Sequence, residues 1–152
     1  MNKGVIVHLD NEDGILQDSK NIFDQLKFEL TYITCQTKEE FEIVLEENKN
    51  SIKGLIFDLL GKDPSNEELT KEDATFLENI RIGFANYNIP IFIYSGYLKD
   101  TLYEEFEDCG TVFLIDKGSD GGIMNVFNQL IKLYQSGFID VFCPGGDFRY
   151  TT

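Results

Sequence analysis

The chain has 152 residues, 42% of them hydrophobic and 26% charged, which is the mix of a globular domain with a real core rather than of a disordered chain. Its 27 acidic residues against 13 basic ones give a net charge of −14. That field repels phosphate backbones and anionic lipid, so direct nucleic-acid binding is not expected.

Cys35, Cys109 and Cys143 are odd in number, widely spaced and without paired metal-ligand spacing. They read as free thiols in a reducing compartment, with Cys35 and Cys109 as small core residues. The apolar run at the N-terminus, Val5–Leu9, is too short for a signal peptide or a membrane span. A cytoplasmic location is the resulting expectation.

The first predicted strand is Gly4–Asp10. A polar turn, Asn11–Asp18, should lead into a helix with Ile15, Leu16, Ile22, Phe23 and Leu26 on its inner side. Leu30–Cys35 alternates and is rich in β-formers, so it reads as a second strand at a sheet edge. Thr37 caps the next helix, with Glu40 in capping-box position and Phe41, Val44 and Leu45 as the buried stripe. The third strand lies in Lys53–Gly61, where Leu55, Ile56 and Phe57 form the continuous apolar run of a strand covered on both faces, closed by Asp58.

A long polar connection, Gly61–Thr70, follows, and Thr70 or Asp73 starts a helix carrying Phe76, Leu77, Ile80 and Phe84. Ile89–Ser95 is a fourth buried strand, with Pro90 at its beginning, where proline is tolerated. A short helix over Lys99–Asp108 ends at Gly110. Val112–Ile115 is the fifth strand, followed by Asp116, Lys117 and Gly118. The last long helix, Ser119–Gln135, should bury Ile123, Val126, Phe127, Leu130, Ile131 and Tyr134. Phe138–Phe142 reads as a sixth short strand in a C-terminal extension, so residues 1–136 form the domain and 137–152 an appended segment.

Strands alternating with helices predict an α/β fold, a doubly wound parallel sheet of flavodoxin-like order 2-1-3-4-5. That order sets the carboxyl ends of strands one and three side by side at the switch point, where such sheets place their chemistry. Four strand ends carry polar groups there: Asp10-Asn11-Glu12, Asp58, Ser95 and Asp116-Lys117. Asp10, Asn11 and Asp58 offer hard oxygen ligands of the kind that suit Mg²⁺. Asp58 is then a candidate nucleophile toward a phosphoryl donor, with Lys117 and the metal offsetting charge and the Ser95 hydroxyl donating to a phosphoryl oxygen. Each residue also has a plain reading. Asp58 and Asp10 would cap turns, Ser95 would be a turn residue before Gly96, and Lys117 would be solvated or paired with Asp116. His8, the only histidine, reads as a buried structural residue, since no partner motif accompanies it.

Taken together, these residues make residues 3–135 resemble the receiver domain of bacterial two-component response regulators (the CheY-like superfamily). The resemblance rests on the acidic corner Asp10-Asn11-Glu12, Asp58, the Ser95-Gly96 pair and Lys117. It implies that Asp58 accepts phosphate from a histidine kinase or phosphotransfer protein. Asp10, Asn11, Asp58 and the Leu60 carbonyl would hold Mg²⁺, and Ser95 and Lys117 would bind the phosphoryl group. The consequence would be a shifted surface read by a downstream protein effector. The fourth and fifth strand–helix units are the candidate homodimer surface. The domain would modify itself without being a turnover enzyme.

The chain departs from that family's pattern in several places. Asn11 stands where a second acid is usual, which lowers metal affinity. A Met-Pro pair after the phosphoacceptor is replaced by the Gly61–Thr70 loop. Gly118 replaces the proline after Lys117, and Leu114, beside Phe113, stands where an aromatic is common. Leu60 and Tyr97 are bulky flanking residues that would hinder water and slow decay of an acyl phosphate. The alternative is a pseudo-receiver, the same fold acting as a protein-interaction module without phosphorylation. A haloacid-dehalogenase-like phosphatase would need an acid at Leu60. A flavin or dinucleotide carrier would need a glycine-rich cradle after strand one, where only Gly14 stands.

Overall fold

A computed structural model describes residues 4–58, 75, 78–79, 89–96 and 112–136. The described elements are β1 (Val5–Leu9), α1 (Asp13–Leu26), β2 (Thr31–Cys35), α2 (Lys38–Glu47), β3 (Ile52–Phe57), β4 (Ile91–Ser95), β5 (Val112–Asp116) and α3 (Ile123–Gln135). The strands form one sheet in the order β2-β1-β3-β4-β5, and every pairing is parallel. This is the predicted order, with β2 at an edge. Thr75, Glu78 and Asn79 are helical and exposed, inside the helix expected after the long connection. That connection, the rest of its helix, the short helix over 99–108, the strand over 138–142, Leu60, Tyr97, Cys109 and Cys143 lie outside the described residues.

The inner strands are buried on both faces. β1, β3 and β4 have no exposed residue, as their unbroken apolar runs require. Alternation along each strand sends Phe57 toward α2, where its ring meets Phe41 edge-on at 6.3 Å. The opposite face carries Tyr32, which stacks on Phe23 of α1 at 5.0 Å and meets Phe127 of α3 at 5.7 Å. Helices therefore cover both faces, with α1 and α3 sharing one.

Two helix starts differ from the sequence reading. α1 begins at Asp13 rather than after Asp18: Glu12 is extended, and its carbonyl accepts from the Ile15 and Leu16 amides at 3.1 and 3.2 Å. Ile15, Leu16, Ser19, Ile22 and Phe23 then fall on one inner stripe, and Gly14 is simply an exposed first-turn residue. α3 begins at Ile123 rather than Ser119, because Gly121 and Gly122 hold φ of +87° and +45°, outside the helical region. Ile131 and Tyr134, expected as buried, are half-buried. At α2 the Thr37 hydroxyl accepts from the Glu40 amide at 3.1 Å. The Glu40 carboxylate reaches the Gln36 amide at 3.4 Å, one residue beyond the usual capping-box partner.

β3 carries an irregularity that bears on the site. Val5 pairs with Ile52, but Ile6 pairs with Gly54, so Lys53 is an extra residue in the ladder. Past it, Leu9 pairs with Phe57, and the Asp58 amide donates to the Leu9 carbonyl at 3.1 Å. Asp10 and Asp58 thereby leave their strands level with one another.

Candidate functional site

Each chemistry-bearing residue stands at the carboxyl end of its strand. Asp10 follows β1, Asp58 follows β3, Ser95 closes β4 and Lys117 follows β5. Backbone bonds extend the ladders through them: the Asp10 amide donates to Cys35 at 3.0 Å, and the Lys117 amide donates to Ser95 at 3.1 Å. Asp10 and Ser95 are fully buried and Asp58 is 6% exposed.

Lys117 draws the cluster together. Its Nζ donates to Asp58 Oδ2 at 2.8 Å and lies 2.7 Å from Asp10 Oδ2. The second contact is an ion pair. Asp10 Oδ1 accepts the Glu12 amide at 2.9 Å, which fixes the carboxylate's rotation. The Ser95 hydroxyl hydrogen-bonds the Asp58 carboxylate, while Asp58 Oδ1 is buried without a hydrogen-bond partner among the described residues. Asp116 is not the partner of Lys117; its side chain accepts the Gly118 amide at 2.7 Å and closes the turn.

Burial raises the Asp58 pKa, and the nearby Asp10 charge pushes the same way, against the bonds from Lys117 and Ser95. Burial pulls the Lys117 pKa down, but its contacts with Asp10 and Asp58 outweigh that and leave it raised. The result is a carboxylate pair at the carboxyl edge of the sheet, sharing one ammonium.

Carboxylate oxygens of this kind suit a hard divalent cation. Asp10 and Asp58 supply anionic oxygens, and Asn11, exposed beside them, carries an amide oxygen. Among the described residues no group of three or more His, Cys, Asp or Glu is placed to hold a metal. Leu60, whose carbonyl was the fourth expected ligand, lies outside the described residues.

Two residues near the site escaped the sequence reading of its chemistry. Tyr94 is buried, with Lys117 Nζ 5.8 Å from the centre of its ring. The only signal for it was its place just before Ser95. His8, expected as structural, is fully buried and bonded through Nδ1 to the Tyr32 hydroxyl. Its ring meets Tyr94 edge-on, with centroids 6.5 Å apart.

The fold is a doubly wound, CheY-like parallel sheet of order 2-1-3-4-5. A response regulator receiver domain protein from Clostridium thermocellum superposes with a TM-score of 0.61 at 21% identity, covering 88% of this chain and 98% of that one. Vibrio cholerae chemotaxis protein CheY4 superposes with a TM-score of 0.61 at 12% identity, covering 84% of this chain and 98% of that one. A de novo designed Rossmann 2x3 protein also matches, with a TM-score of 0.57 at 13% identity and coverage of 85% and 90%. The same architecture therefore exists as a designed protein, and the argument for function rests on the site. No protein-family model matches the chain, and no curated protein matches it.

Proposed function

We propose that this chain is a phosphoacceptor receiver domain of two-component or phosphorelay signalling, phosphorylated on Asp58. The observation that carries this reading is the convergence of Asp58, Ser95 and Lys117, with the Lys117 ammonium 2.8 Å from the Asp58 carboxylate. An Asp58 oxygen attacks the phosphorus of a phosphohistidine on a kinase or phosphotransfer protein. The new O–P bond forms as the P–N bond breaks, and the histidine leaves with its electron pair. Lys117 is already placed to pair with charge on the transferring group, and Ser95 to donate to one of its oxygens. Asp10, Asn11, Asp58 and the Leu60 carbonyl would hold Mg²⁺, which when bound supplies further positive charge to the phosphoryl oxygens. The chain is changed by the transfer and is not a turnover enzyme. A cytoplasmic domain read by a protein effector fits this role; among the described residues no helix is long and apolar enough to cross a membrane.

A pseudo-receiver is the second reading. Lys117 spans both carboxylates, and Asn11 removes one acid, so the chain itself already offsets half of the pair's charge.

Intact-protein mass after incubation with acetyl phosphate, with and without Mg²⁺, decides between them. A phosphoryl adduct that requires Mg²⁺ and disappears in Asp58→Asn supports the phosphoacceptor. No adduct on the folded wild-type chain, with donor in excess, supports the interaction module.

A further inference from the structure

The first turn of α3 has an unusual cap. Its N-cap residue is Gly122, which has no side chain to accept the first free amides. The Tyr94 hydroxyl lies against that turn, beside Gly122 and facing the Ile123 amide. The approach is close: a Cβ on Gly122 would lie 3.1 Å from the Tyr94 hydroxyl oxygen, and the φ of +45° there also favours glycine. The same ring lies beneath the Lys117 ammonium, and the backbone of Tyr94 leads directly into Ser95. From behind, the ring is met by His8, which Tyr32 holds in turn. Tyr94 therefore lies between the pocket and the start of α3.

We propose that Tyr94 is a positioning residue: its ring holds Lys117 over the carboxylates, its hydroxyl caps α3, and a change of charge at Asp58 is passed through it to the first turn of α3. The last clause rests on the phosphoacceptor reading; the first two do not. A Lys117 drawn toward a phosphoryl group changes its contact with the ring, and a shift of the ring moves its hydroxyl against the first turn of α3.

Two substitutions separate the functions of this side chain. Tyr94→Phe keeps the ring and removes the cap; Tyr94→Leu removes both. In amide hydrogen exchange, the Ile123 amide should exchange about tenfold faster or more in both variants. The Lys117 Hε protons should be shifted upfield by the ring in the wild type and in Tyr94→Phe, and should relax toward ordinary lysine values in Tyr94→Leu. Lys117→Met should alter Ile123 exchange severalfold in the wild type and leave it unchanged on the Tyr94→Leu background. Additive effects of Lys117→Met and Tyr94→Leu would overturn the coupling, and unchanged Ile123 exchange in Tyr94→Phe would overturn the cap. With beryllium fluoride and Mg²⁺ added, the wild type should show a change in Ile123 exchange that Tyr94→Phe lacks, and the same change in both would refute transmission. Failure of the wild type to take up beryllium fluoride would reject the phosphoacceptor reading and the transmission clause, while the exchange and ring-shift results still decide the other two.

Discussion

His8 shows how one buried side chain sets a pH limit on the whole domain. Burial, helped by the Lys117 charge, lowers its pKa from 6.5 to about 3. Between those values the unfolded chain binds a proton that the folded chain refuses, so stability falls as pH falls through that window. Between pH 7 and pH 4.5 this one group should remove about 2.5 kcal/mol. Urea unfolding of wild type and His8→Gln at the two pH values measures it: the loss on acidification should be smaller in the variant by about that amount. An equal loss in both would show that His8 is not the group responsible. Among the described residues the same burial leaves a His8 ring nitrogen, Nε2, without a hydrogen-bond partner, an arrangement no sequence pattern announces.

Elements are held by a few specific contacts, and two of these are open to test. Gly54 of β3 faces α3 so closely that an added Cβ would lie 2.7 Å from Leu130 Cδ1, and Leu130 is fully buried. Gly54→Ala should destabilise the fold by about 1–3 kcal/mol through overpacking, seen as a lower urea midpoint at unchanged m-value. Replacing the α2 cap, Thr37→Ala, should cost about 1 kcal/mol, since the Glu40 amide loses its acceptor. Here the sequence was a good guide, because a cap needs only a hydroxyl three residues before an amide. It was a poor guide at the starts of α1 and α3. The polarity of Asn11–Asp18 masked the helix at Asp13, whose first turn is polar simply because it is exposed. Polar residues at Ser119 and Asp120 suggested a helix that two positive-φ glycines postpone to Ile123.

Across the whole molecule the net charge of −14 acts as self-repulsion that folding concentrates. Raising ionic strength from about 0.01 M to 0.15 M shortens the screening length from about 30 Å to 8 Å, so the urea midpoint should rise with added NaCl. A midpoint that falls would mean that local pairs such as Lys117 with Asp10 and Asp58 outweigh the global field. Strand order, layering and most of the core were legible in the sequence, because apolar runs of strand length and helical stripes are properties of neighbouring residues. So was the presence of Asp10, Asp58, Ser95 and Lys117 at successive strand ends. Tertiary structure alone decided how those groups meet. The extra residue at Lys53 brings Asp58 level with Asp10, a matter of register between chains 48 residues apart that no local pattern encodes. Only packing turns Lys117 inward to span both carboxylates, and only packing brings the Tyr94 hydroxyl to the first turn of α3. Local sequence determines which face a residue takes; distances between strands and helices follow from how the whole chain closes around its core.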